Sequence, residues 1–296
     1  MITPSLFSVS YAGLWGQHKL DTIGFIKKAS KLGYTAIQLA GKKPHISFNH
    51  ITEKELVEIK DTAKKHKIDI HTIAGYNDFT SGKSSIGNPF VDMQVGYIKT
   101  LCGIAKKLGA KQIRIFSGYF YDIDNYMEEW NKCVQAVREC AQIAEDYGIM
   151  IGLQNHHDVA VTTESYIEFL NDVNHPNCKA MFDPWSPALH GDDLYKAAKQ
   201  LASRMIQTTL ADYVKLRRFT YMPGIVNYKP LPEIIKAVPV GHGFIDNKTF
   251  FDGLKEGGFN GYVVYEMCSP LRGGGSEANL DKTAKISLKA IKELIV

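Results

Sequence analysis

Lys107-Leu108-Gly109-Ala110-Lys111-Gln112-Ile113-Arg114-Ile115-Phe116 is the stretch on which the fold turns. A charged turn running into a glycine marks the end of a helix, because glycine takes the left-handed conformation that closes the last turn. The β-rich run after it is the next strand. The same unit returns at Lys31–Leu39, Asp146–Gln154 and Gly257–Glu266. Repeated helix-to-strand units imply a parallel α/β protein. Parallel strands all end on one side, so their closing polar residues gather there, and in a closed barrel that side carries the active site.

Outward from these units, eight strand runs can be placed: Leu6–Ser10, Ala36–Leu39, Ile70–Ala74, Gln112–Phe116, Met150–Gln154, Cys178–Phe182, Met205–Leu210 and Tyr262–Glu266. Helical spacing of apolar residues fills the intervals at Thr22–Leu32, Thr52–His66, Val91–Leu108, Tyr126–Tyr147, Glu164–Val173, Asp193–Ala202 and Lys248–Glu256, and again at Asn279–Leu294. Eight of each in alternation predicts a (β/α)8 TIM barrel, one α/β domain over residues 1–296. A doubly wound open sheet would show a glycine-rich phosphate turn after its first strand. This chain instead reads Tyr11-Ala12-Gly13-Leu14-Trp15-Gly16-Gln17-His18 there. The unit is missing from about 213 to 246, which reads as an ordered loop excursion.

Composition narrows the class. Of the 296 residues 45% are hydrophobic and 22% charged, enough apolar surface for one large core. A net charge of +4 gives no reason to expect nucleic acid as a partner. No apolar run approaches the roughly 18 residues of a membrane helix, so no membrane partner is expected. The N-terminus lacks a basic segment followed by an apolar one, and the five cysteines form no CxxC pair, which predicts reduced thiols and a cytoplasmic location.

In this register the mouth collects Tyr11 and His18 after strand one, His45 after strand two, Asn77 after strand three, and Ser117 and Tyr119 after strand four. Strand five ends in Gln154-Asn155-His156-His157-Asp158, strand six in Asp183-Pro184-Trp185-Ser186, strand seven at Thr209 and Asp212, and strand eight in Glu266-Met267-Cys268-Ser269. Two carboxylates closing apolar strands, Asp183 and Glu266, need a cation, a proton or a hydrogen-bonded partner. Either they bind a metal beside Gln154, or they cap a helix or pair with an arginine such as Arg114.

At these residues the sequence resembles the xylose isomerase-like barrel superfamily, over nearly its whole length. The resemblance rests on Gln154-Asn155-His156, on Asp183, on Thr209 and Asp212, on Gly241-His242-Gly243-Phe244-Ile245-Asp246, and on a last strand ending at Glu266. It implies a sugar isomerase or epimerase with one divalent metal (Mn, Mg, Zn or Co) held by Gln154, Asp183 and Glu266. It departs from the family pattern at Gln154, where Glu is usual, at Thr209, where His is usual, and at Ser186. Glu266, His156 and His157 are the expected catalytic proton carriers, the imidazoles with pKa values near neutrality. Trp15, His18, Tyr119, Trp185, Thr209, Asp212, His242 and Arg272 are the expected contacts to a small-molecule sugar. Two readings stand beside this one: a lyase or hydrolase acting on a keto-sugar or glycoside at the same site, and a sugar-binding barrel without catalysis. The excursion, with Lys215, Arg217, Arg218, Tyr221 and Tyr228, either covers the mouth or is a segment that faces solvent or another subunit of a homo-oligomer.

Overall fold

The computed structural model of the protein describes residues 2–80, 88–121 and 123–296. In chain order its elements are β1 (Thr3–Phe7), α1 (Thr22–Leu32), β2 (Ala36–Ala40), α2 (Glu53–Lys65), β3 (Asp69–Ala74), α3 (Phe90–Leu108), β4 (Gln112–Ile115), α4 (Tyr126–Asp146), β5 (Met150–Gln154) and α5 (Thr163–Val173). They continue as β6 (Cys178–Met181), α6 (Trp185–His190), α7 (Leu194–Leu201), β7 (Gln207–Leu210), β8 (Asp212–Met222), β9 (Asn227–Val238), α8 (Asn247–Glu256), β10 (Tyr262–Tyr265) and α9 (Glu277–Ile295). Local chemistry sets these limits. Gly33 and Gly109 follow α1 and α3 with φ of 91° and 88°, the left-handed turn expected of them. Thr52 and Glu55 close a reciprocal capping box at the start of α2.

The eight parallel strands run β6-β5-β4-β3-β2-β1-β10-β7. A bridge between Ala180 and Met205, with Ile206 N–H donating to the Ala180 carbonyl at 3.1 Å, joins β6 to β7 and closes the ring. The result is the expected barrel. Side chains alternate along each strand. One set, with Leu6, Ile37, Ile73, Ile113, Ile151 and Val263, packs outward in the main core with the helices. The other fills the barrel, where Phe7, Ala40, Ala74 and Val264 form a small apolar layer. Gly152 belongs to this inner set, and a Cβ there would collide with Met181, which takes the space.

Below the apolar layer lies a polar floor. His71 Nε2 sits 2.7 Å from Ser5 Oγ and its Nδ1 2.7 Å from Thr72 Oγ1. Thr72 Oγ1 also lies 2.9 Å from Gln112 Oε1, and Gln207 donates to Gln38 at 2.7 Å. The His71 ring stacks on Tyr262 at 3.7 Å. A register shift opposite Ile37 and Gln38 makes His71 the extra residue of a β-bulge, which brings two successive side chains into one network.

Three expectations are corrected. The first strand ends at Phe7, not Ser10, because Ser8–Tyr11 forms a turn of 3-10 helix; there Ser8 and Ser10 hydroxyls take the Ala40 and Met267 N–H groups. A short helix, α6, follows β6 before α7. The excursion is not a loop but an antiparallel hairpin, β8 with β9, paired from Asp212–Val238 out to Met222–Asn227. β9 carries two prolines, Pro230 and Pro232. They are tolerated because a two-stranded ribbon has an open edge on each side.

Candidate active site

Strand alternation carries Arg114 inward from β4, and Gln154, Asp183 and Glu266 stand at the upper ends of β5, β6 and β10. Arg114 is 2% exposed. Its Nη1 donates to Gln154 Oε1 at 2.8 Å, and Gln154 Nε2 donates to Asp183 Oδ2 at 2.7 Å. The amide orientation follows from these two neighbours, a donor on one side and an acceptor on the other. The guanidinium lies 4.0 Å from the centroid of the Phe116 ring and 5.0 Å from that of Tyr76, whose ring carries the Lys42 ammonium at 3.6 Å. Arg114 Nε and Nη2 are buried and have no hydrogen-bond partner among the described residues.

The two carboxylates feel this surrounding differently. Burial, reinforced by the Glu266 charge, pushes the Asp183 carboxyl up to about 7 against the pull of Gln154, the Trp185 N–H and Arg114. Burial raises Glu266 as well, opposed first by Arg114 and then by the Cys268 thiol, whose Sγ lies 3.2 Å from Glu266 Oε1. Tyr213 Oη stands 3.0 Å from the same sulfur. Burial holds both the phenol and the thiol well above their ordinary pKa values, so each keeps its proton and the chain runs from Tyr213 through Cys268 to Glu266. Two asparagines fix the strand exits. Asn155 accepts from Asp183 N–H at 2.8 Å and donates to the Asp183 carbonyl at 3.0 Å, and Asn77 does the same for Phe116 at 3.0 and 2.7 Å.

The structure therefore brings Gln154, Asp183 and Glu266 together, as the strand ends promised. His156 and Trp185 join them, with ring centroids 5.4 Å apart, and Trp185 leans on Tyr213 at 5.5 Å. Thr209 is buried on β7 beside Val264, its hydroxyl without a partner among the described residues. Arg114 was legible only as a possible partner of the carboxylates; an arginine set between Ile113 and Ile115 was the signal.

The expectations for the two histidines and Asp212 fail, while the rim residues are only placed. His156 and His157 do not offer bases near neutrality: burial, with the Arg114 charge nearby, lowers them to about 3 and about 4. His156 Nδ1 accepts the His157 N–H at 2.8 Å, and the His157 ring packs against Phe116 and Tyr119 at 4.2 and 4.1 Å. Asp212 is not open to substrate, because its carboxylate accepts the N–H groups of Gly241, Gly243 and Tyr213, each at 2.9 Å. It pins the turn before α8, and a Cβ on Gly243 would collide with it. Trp15, His18, His242 and Arg272 lie exposed around the rim, and His18 reaches Glu277 at 3.7 Å. His45 lines a cavity of about 920 Å³ with Lys19 and Glu58, beside α1 and α2 and apart from the carboxylates.

A family model described as xylose isomerase-like TIM barrel matches residues 26–294. The chain belongs to that family. A D-psicose 3-epimerase of Ruminiclostridium cellulolyticum is 23% identical across 94% of both chains. A fructoselysine 3-epimerase of Escherichia coli O157:H7 is 20% identical across 75% of this chain and 82% of its own. Among solved structures, D-psicose 3-epimerase with D-tagatose from Clostridium cellulolyticum H10 superposes with a TM-score of 0.75 at 18% identity, covering 99% of both chains. The IOLI protein with a bound zinc atom superposes with a TM-score of 0.75 at 16% identity, covering 99% of this chain and 98% of its own.

As the side chains stand, the donor set does not fit the divalent cation that the resemblance implies. Gln154 spends its oxygen on Arg114 and turns its N–H2 to Asp183. Strand seven supplies the hydroxyl of Thr209 rather than an imidazole, and the guanidinium already brings a positive charge to both carboxylates. No three His, Cys, Asp or Glu residues are grouped as metal ligands among the described residues.

Proposed function

We propose that the protein is a sugar isomerase or epimerase that moves a proton at the carbon beside the carbonyl of a small keto- or aldo-sugar, an oxidised glycoside included. The observation that carries this reading is the pair of strand-end carboxylates, Asp183 and Glu266, close enough for the Glu266 charge to add to the burial that raises the proton affinity of Asp183 at the mouth of the barrel. A carboxyl held up to about 7 takes or gives a proton near neutral pH, which is what proton transfer to and from carbon requires. In this scheme Glu266, oriented by the Tyr213–Cys268 chain, removes the proton on one side, and Asp183 serves as the second acid or base. Asn155 keeps the Asp183 backbone in place, and Trp185 and Phe116 offer apolar faces to a sugar ring. The named epimerases among the relatives support the same chemistry.

Rim contacts through Trp15, His18, Tyr119, His242 and Arg272 belong to this proposal as substrate-facing groups. The test is incubation in deuterated water with D-fructose, D-tagatose, D-allulose, their phosphates and oxidised glycosides. Deuterium at the carbon next to the carbonyl is the expected result. Its absence across that panel sinks the reading, and loss of water or of an aglycone would move the chain to the lyase or hydrolase alternative.

A further inference from the structure

A buried guanidinium with open donors is an unusual expense in a folded protein. Arginine that serves packing alone normally finds partners for its N–H groups, since an unpaired buried donor costs about 1–3 kcal/mol and more when charged. Arg114 has one hydrogen bond, to a neutral amide, while Nε and Nη2 remain unpartnered among the described residues. Neither carboxylate satisfies it directly, although both feel its charge. The rings of Phe116 and Tyr76 pack against the guanidinium, and Lys42 also lies over the Tyr76 ring. The amide that holds it is the residue that replaces the family's usual Glu, and the misfit of the metal donor set described above is the other side of the same exchange.

Building on the reading of the site as a proton-transfer centre, we infer that Arg114 is its electrophile: the open Nε–H and Nη2–H donors bind the carbonyl oxygen of the sugar, in the role that relatives give to a metal ion. When a carboxylate breaks the adjacent C–H bond and keeps the proton, the electron pair forms a C=C bond and the carbonyl π electrons move to oxygen. That enediolate oxygen is held by the guanidinium. Return of a proton to the same carbon, from either face, restores the carbonyl; return at the former carbonyl carbon does so once the proton of the adjacent hydroxyl has passed to the enediolate oxygen, and neither route needs a redox partner. Gln154 is suited to this arrangement, because a carboxylate in its place would neutralise Arg114 and blunt it as a donor.

The experiment uses the full chain and a four-carbon sugar hydroxamate, which presents the paired oxygens of an enediolate and also chelates metals. Binding is measured by calorimetry in EDTA, then with Mn²⁺ at millimolar concentration. The expected result is binding in EDTA, unimproved by Mn²⁺, and weakened roughly tenfold or more in Arg114→Lys, which keeps the charge and loses the fork. Binding that appears only with Mn²⁺, binding indifferent to Arg114, or no binding in either state overturns the inference. The comparison of EDTA with Mn²⁺ needs no variant, so it stands if Arg114→Lys fails to fold. Deuterium exchange in EDTA provides the separate readout. An absence of exchange in every condition refutes the proposed reaction, whereas exchange that requires Mn²⁺ refutes only the role of Arg114.

Discussion

Thr72 and Arg114 point into the same barrel from neighbouring strands, and the protein treats them in opposite ways. On the floor, Thr72 belongs to a web of His71, Ser5, Gln112, Gln207 and Gln38 in which nearly every polar atom meets another, Gln38 Nε2 being the exception. At the mouth, Arg114 keeps two open donors, Thr209 an unused hydroxyl, and Asp183 a proton affinity raised to about 7, first by its own burial and then by the Glu266 charge. A polar group buried for architecture closes its hydrogen bonds within the chain; one buried for chemistry leaves them open for something that arrives. The difference separates support from site on the same eight strands.

The sharpest way to break this comparison is Glu266→Gln. It should lower solvent-deuterium exchange by roughly 10³-fold while leaving thermal unfolding within a few degrees, because the amide keeps the shape and loses the base. Equal losses of stability and activity would mean that the mouth is only a second floor. His71→Ala should behave in reverse, costing about 3 kcal/mol in denaturant unfolding through a lost stacked ring and stranded partners. Turnover per folded molecule should change little.

Acid sharpens the contrast. The folded chain holds His71 near 3 and His45 near 4, below the ordinary 6.5, so the unfolded chain binds more protons in that interval. Their stability is fully present above pH 6.5 and is lost as the pH falls, by up to about 1.4 kcal/mol per unit for each imidazole. His71→Gln should flatten the slope measured by denaturant titration. Asp183→Asn is the smallest effect and has the opposite sense. Its carboxyl is raised from 3.8 to about 7, so its contribution is present below 3.8 and is lost as the pH rises through 7. The variant should gain about 1 kcal/mol at pH 8, with the weakened Gln154 bond offsetting part of the relief, and nothing near pH 4.

Much of this was legible beforehand because it is periodic or local. Helix ends at Gly33 and Gly109, the eight strands, and the gathering of Gln154, Asp183 and Glu266 follow from spacing and chain direction alone. What escaped depends on contacts distant in sequence. Asp212 looked like a substrate ligand until the turn at Gly241 and Gly243 closed on it. His156 and His157 looked like bases until burial and Arg114 were placed around them. Arg114 sits within its strand, where the sequence gives its chemistry and no sense of which face it takes. The hairpin was hidden by its prolines and by lying outside the barrel's rhythm.

That hairpin has a mechanical consequence. Its base is bonded twice to the segment that leaves β10, through Ala237 N–H to the Pro270 carbonyl and Arg272 N–H to the Ala237 carbonyl, both near 3.0 Å. Tyr213, near the foot of β8, reaches Cys268 and through it Glu266. The exposed arm and the carboxylate at the end of the last barrel strand are therefore tied into one bonded assembly, one end of which stands in solvent and the other in the mouth.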